Sequence, residues 1–234
     1  MENPTTDSLN SGNTGRSNIF LKPIEKVLSE YADNKFSEEA YNAKNQFFSL
    51  IGLFERDESQ FVENINLFHD WYLFERVLTG FNQTPVNAYY QRYQSQMSTT
   101  DRILFESLTK TEYSLFEYLK TKKDQWIFYD FIKKTKFAVD QYDSTLHFEE
   151  GDIFQSRLIK FDQKYYFGLA FCFHSKDTQS YFKKKIKEVL KKTGKDVAAQ
   201  EKTFKELYIT WLRMNQKHKN FKHVPVSKIY TDTP

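Results

Sequence analysis

Side chains able to do acid–base, nucleophilic or metal chemistry are few and scattered in this sequence. His69, Asp70 and Glu75 fall within one apolar stretch, but a histidine between Phe68 and Asp70, followed by Trp71, fits a packed or capping ring better than a general base. No second histidine stands nearby at a metal-ligand spacing, and His147, His174, His218 and His223 are dispersed. Cys172 follows Phe171 in an apolar run and reads as an inert buried thiol, since a reactive one needs an accessible, electropositive site. Seven glycines leave little material for a phosphate loop, and neither that motif nor a nucleophile elbow nor a kinase set is present. These observations predict no catalytic residue, no metal and no cofactor. An enzymatic reading would need a pocket that gathers His69, Asp70, Glu75 or Arg157.

Charge patterning is more informative. Between Tyr181 and Asp196, seven lysines meet only Glu188 and Asp196, so a helix there would carry an apolar face and an outward basic one suited to phosphates. A solvated face of an ordinary amphipathic helix is the competing and favoured explanation. Just upstream, Asp140, Asp143, Glu149, Glu150 and Asp152 meet no Lys or Arg over thirteen positions. Their spacing does not suit a calcium loop, which favours a solvated turn or an internal partner for the lysines. Trp126, Phe128, Phe131, Tyr165, Tyr166 and Phe167 are candidates for base stacking, although core packing explains most of them better. The candidate macromolecule-binding set is therefore Lys183, Lys184, Lys185, Lys187, Lys191 and Lys192, with Trp126 and Arg157 from the strand region.

The elements that must position these residues follow from periodicity. Residues 1–17 are rich in Asn, Ser, Thr and Gly and predict a flexible tail. Ile24, Val27, Leu28 and Tyr31 mark a first helix, Ser37 caps a second running through Phe47 to Phe54, and a third runs from about Ser59 to Leu78 with Gly80 as its stop. Thr84 and Pro85 read as a cap and first-turn proline, and Ser98 to Thr100 as the next cap. From Tyr113 the pattern becomes aromatic and branched, predicting strands over 113–121, 125–132, 135–140, 152–160 and 164–173 in a small antiparallel barrel or strongly curled sheet. Phe182, Ile186, Val189 and Leu190 form one face of a basic helix ended by Gly194, and Phe204, Leu207, Tyr208, Trp211 and Leu212 mark another.

Phe68, Asp70, Trp71, Leu73, Phe74 and Glu75, then Thr84 and Pro85, then Ser114 to Glu117, then Gly151, Asp152, Ile153, Arg157 and Leu158 occur in an order that resembles a bacterial family without assigned activity, whose members often end in a small SEC-C zinc motif. The resemblance runs from about Phe47 to Phe173 and implies architecture, not activity. The cysteine cluster of that motif is missing, so no zinc site carries over.

The expected fold class is α+β: a helical region over 18–110, an antiparallel barrel-like region over 111–175, basic helices over 176–220 and an extended tail over 221–234. With 39% hydrophobic and 18% aromatic residues, the chain has ample material for a core. A formal charge of +3 identifies no partner, one cysteine excludes an internal disulfide, and no apolar run reaches the roughly 18–20 residues of a membrane helix. With no secretory signal, the expectation is a cytoplasmic, non-enzymatic binding or adaptor protein that recognises another protein, with nucleic acid as the alternative partner and no membrane.

Overall fold

A computed structural model describes residues 18–33, 36–53, 61–142 and 146–231. The tail expected over 1–17, the Phe54 end of the second helix, the Ser59 start of the third and Asp143 of the acidic run lie outside these residues. Helix α1 (Leu21–Ala32) buries Pro23, Ile24, Val27 and Tyr31, the face its spacing predicts. Helix α2 (Ser37–Ile51) closes on Gly52, whose φ of 74° lets its N–H reach the carbonyls of Phe48 and Ser49. Ser37 is the first helical residue, not the cap: Phe36 holds the capping position, without a side-chain bond. Helix α3 (Phe61–Phe74) stops short of the expected Leu78. Glu75 N–H makes the last i→i−4 bond, to Trp71 O; Arg76 N–H bonds the same carbonyl and Leu78 N–H turns to Gln83 O, so the helical ladder ends there. Helices α4 (Pro85–Tyr93) and α5 (Thr99–Leu108) start as expected, with Thr84 Oγ1 and Ser98 Oγ accepting from the amides of Asn87 and Asp101.

Five strands follow: β1 (Glu112–Lys122), β2 (Gln125–Asp130), β3 (Thr135–Asp140), β4 (Ile153–Phe161) and β5 (Lys164–His174). They form one antiparallel sheet in the order β3-β2-β1-β4-β5. Asp162 and Gln163 both take positive φ in the two-residue turn between β4 and β5, matching the right-handed twist of the paired strands. The sheet curls until its two edges meet: Lys164 Nζ lies 2.8 Å from Asp140 Oδ2, and the rings of Phe137 and Tyr165 are 5.4 Å apart. No β3–β5 hydrogen-bonded ladder forms among the described residues, so of the two expected forms the sheet takes the strongly curled one and is not a closed barrel. Between these edges the contact is by side chains, and closure would require matched tilt and register along both strands.

Alternation divides the sheet cleanly. Phe116, Trp126, Phe128, Phe154 and Phe167 fill the inside of the curl, where the half-buried Phe148 covers them. Leu115, Phe131 and Ile153 face the other way, onto α6 (Gln179–Thr193), α7 (Val197–Asn220) and α8 (Val226–Ile229). Ile159, Ala170 and Cys172 meet the N-terminal helices. The expected extended tail is also corrected: α8 forms there, and Ile229 and Tyr230 are buried because an apolar pair and a tyrosine hydroxyl find partners on the body. Among the described residues, no helix is long and apolar enough to cross a membrane.

Between β4 and β5 the pairing shifts at Arg157, which stands opposite Gly168. A Cβ on Gly168 would lie 3.1 Å from Arg157 Cβ and 3.5 Å from Asp70 Oδ1, so the missing side chain is what admits the arginine and the α3 carboxylate together. Gly168→Ala is expected to cost about 1–3 kcal/mol in denaturant unfolding, through crowding of this pair.

Candidate functional site

Arg157 is 2% exposed, yet carries a full charge at the seam between sheet and α3. Its Nε donates to both oxygens of Asp70 at 3.0 and 3.1 Å, and its Nη2 to Asp70 Oδ2 at 2.8 Å and Glu75 Oε1 at 3.1 Å. Nη1 donates to Thr111 Oγ1 at 3.1 Å. The guanidinium also stacks over Phe74 at 4.3 Å and lies 5.4 Å from the Tyr113 ring. Glu75 Oε2 in turn accepts from Lys205 Nζ of α7 at 2.9 Å. Two carboxylates and two cations thus make a neutral cluster across three elements.

Titration in the cluster follows from burial set against charge. Burial pushes the Asp70 carboxyl up, opposed by the guanidinium. Glu75, half-buried, is held below the usual range because Arg157 and Lys205 together outweigh desolvation. Desolvation pulls Arg157 down, but the two carboxylates win and keep it charged. The Tyr113 hydroxyl is held well above its ordinary range, by burial first and then by Asp70.

A cavity of about 280 Å³ opens against this cluster, walled on its apolar side by Leu67, Trp71, Tyr208, Ile209 and Leu212. A more polar cleft of about 440 Å³ adjoins it, with Thr84, Asn87, Thr111 and Ser114 among its lining residues. Glu75, Tyr113, Arg157, Lys205 and Tyr208 border both spaces. Of the four residues that an enzymatic pocket would need to gather, the structure brings together Asp70, Glu75 and Arg157. His69 borders a separate recess beside α1, where burial lowers its pKa.

The remaining candidates fall elsewhere. Lys183, Lys184, Lys187, Lys191 and Lys192 are exposed on α6, with Lys185 half-buried beside them. Lys184 and Lys185 reach Glu188 on the same helix, and Lys183 lies 6.0 Å from the Phe131 ring. Lys187, Lys191 and Lys192 make no ion pair among the described residues. The acidic run finds other partners: Asp140 meets Lys164, while Glu149 and Asp152 meet Lys176, which also donates to Glu150 O at 2.8 Å. Trp126 is 6% exposed, its ring packed edge-on against Tyr142 and Phe148 inside the curl. Phe128, Phe131 and Phe167 are likewise buried, and Tyr165 and Tyr166 half-buried.

A second buried polar group joins the sheet to the C-terminal helices. Gln155 Nε2 donates to Tyr208 O at 3.2 Å, leaving its oxygen to accept from His174 Nε2 at 2.9 Å, while Tyr230 donates to His174 Nδ1 at 2.8 Å. Asn215 Nδ2 donates to Cys172 Sγ at 3.0 Å. Burial raises the Cys172 thiol to about 12 and, with Lys219 and His218, holds His174 down at about 3. Cys172 is therefore a protonated packing group and His174 a neutral one.

Lys205, Tyr113 and Gly168 escape a reading of the sequence alone, because their roles depend on partners far away in the chain. The one local signal is Gly168, an isolated glycine within an aromatic strand run, which marks close approach of another group.

Removing one partner of the buried pair leaves the other charge uncompensated, so Asp70→Asn is expected to cost about 3–5 kcal/mol in chemical denaturation. Lys205→Met, at a side chain 65% exposed, should cost less than about 1 kcal/mol. His174 gives a pH dependence of defined sign. Its ring is neutral in the folded chain down to about pH 3, whereas the unfolded ring takes up a proton near pH 6.5, so the unfolded state binds the extra proton between these values. Stability is expected to fall by about 3–5 kcal/mol as pH drops through that window, and His174→Gln should flatten the slope in urea melts taken across it.

No curated protein and no solved structure matches the chain. A family model matches residues 24–217, a span that takes in the Arg157 cluster, both bordering cavities and the whole of α6. The chain belongs to this family, a family of unknown function (DUF7986).

Proposed function

We propose that the chain is a binding protein for a polyanionic macromolecule, nucleic acid in the first instance, with the outward face of α6 as its contact surface. The observation that carries this reading is the placement of Lys183, Lys187, Lys191 and Lys192: all four are exposed, while Glu149 and Asp152 of the nearby acidic run are engaged by Lys176. Charge is segregated well beyond that helix. Residues 176–231 contain fifteen lysines and arginines against five acids, and the rest of the chain contains nineteen against twenty-six. Phe182, Ile186 and Val189 anchor the opposite side of α6 in the core, which fixes the direction in which the lysines project.

Base stacking has no part in this reading, since Trp126 and its neighbouring rings are internal. Contact would be with phosphates, tolerant of sequence and sensitive to salt. The test is binding of a labelled single- or double-stranded oligonucleotide across a salt series. Charge reversal of Lys183, Lys187, Lys191 and Lys192 to Glu is expected to weaken binding more than about tenfold at low salt and to reduce the salt slope by roughly 3 to 4, at about 0.7 to 0.9 per lost phosphate contact on single and double strands. Binding indifferent to both salt and these changes would reject the proposal. Salt-sensitive capture of an acidic polypeptide in place of the oligonucleotide would move the partner to protein.

A further inference from the structure

We infer that the apolar cavity beside Arg157 is a binding site for a small organic carboxylate, one with a compact aromatic or branched apolar body. The inference is independent of the basic face of α6 and rests on an inventory of donors and acceptors around the cavity. Both oxygens of Asp70 are occupied by Arg157, while Glu75 gives one oxygen to Arg157 and the other to Lys205. The cluster's acceptors are therefore engaged. Its donors are not: a guanidinium has five N–H groups, and Arg157 directs one to Thr111, one from Nε to Asp70, and two from Nη2 to the carboxylates, leaving one on Nη1. Lys205 has three, of which one meets Glu75. The Tyr113 hydroxyl has no hydrogen-bond partner among the described residues.

These three side chains border both spaces, so residues with spare donors line the apolar chamber where the polar cleft adjoins it. Such a chamber takes the hydrocarbon part of a ligand, and the donors take an acceptor at its end. A charge-neutral cluster with surplus N–H and O–H groups suits a carboxylate, which offers acceptors alone. A cation would meet Asp70 and Glu75 only in competition with the Arg157 and Lys205 charges that already hold them. At about 280 Å³ the chamber sits at the small end of ligand pockets, about 300–1,000 Å³, which limits the body to one ring or a short branched chain. Glu206 also borders the cavity, but it is exposed and screened by water.

The experiment titrates the full chain with phenylacetate, with its neutral amide phenylacetamide and with the cation phenethylamine, using calorimetry and tryptophan emission. Of the three tryptophans only Trp71 lines the cavity, while Trp211 packs behind its Tyr208 wall, so Trp71→Phe is used to assign any change in emission. Phenylacetate should bind saturably and about tenfold more tightly than the amide, with no saturation by the amine. Lys205→Met and Tyr113→Phe, both at partly exposed side chains, should each weaken phenylacetate by about three- to tenfold while the unfolding curve stays close to that of the parent chain. Absence of saturable phenylacetate binding, equal binding of all three probes, or preference for the amine would each overturn the inference.

Discussion

A guanidinium removed from water must find compensation at once, and the position of Arg157 in the middle of β4 makes that requirement structural. Isolated, such a charge would cost several kcal/mol. The chain meets the demand with Asp70 and Glu75, contributed 87 and 82 residues earlier by α3 and the turn after it. The contact ties these distant segments with little freedom of geometry, because two carboxylates, a threonine hydroxyl and two rings all act on one planar group. The position of α3 over the sheet follows from this, and with it the cavity wall that Leu67 and Trp71 provide. Gly168 is the matching concession on β5, where any side chain would intrude on the pair.

The rest of the sheet obeys its period of two around this point. Leu115 and Phe116, or Ile153 and Phe154, are neighbours in sequence that enter different cores. Gln155 and Arg157 share the face turned toward the helices, and each is met by a polar group there: Tyr208 O and His174 for the first, the α3 carboxylates for the second. Both buried polar centres are thus products of one strand face that carries polar residues where apolar ones would normally sit. Each is satisfied by an element that arrives from elsewhere in the chain, which selects one arrangement of helices over its alternatives.

This also explains what could be read from the sequence. The strands were legible to within about two residues because their ends are set locally, by Lys123, Lys134 and the Asp162–Gln163 pair, all in the left-handed conformation that short turns demand. Thr84–Pro85 and Ser98 were legible for the same reason. Asp70, Glu75 and Arg157 could be named as polar residues worth gathering, but nothing local joins them to Tyr113 and Lys205. The choice between a barrel and a curled sheet stayed open in the sequence because closure is decided by how two edge strands meet, and Phe137 against Tyr165 is a contact no window of sequence contains. The C-terminal segment looked extended because its proline and polar residues obscure Ile229 and Tyr230, whose burial depends on His174, more than fifty residues away.

Charge is used in two opposed ways within one short distance along α7. Toward α3, Lys205 is drawn into a neutral cluster whose cations and carboxylates cancel. On its other contact the same helix supports α6, with Trp211 meeting the Phe182 ring edge-on at 4.9 Å, and there Lys187, Lys191 and Lys192 are exposed and make no ion pair among the described residues. Helix α7 therefore forms a wall of the cavity through Tyr208, Ile209 and Leu212 and the floor beneath the basic face through Phe204 and Trp211. With side chains interlocked on both sides, α7 cannot shift against the cavity without shifting beneath α6, since packed helices move as rigid bodies and a close-packed interior transmits displacement. The two surfaces are chemically unlike, one a recess beside a neutral cluster and the other a basic exposed face, yet they rest on a single 24-residue support.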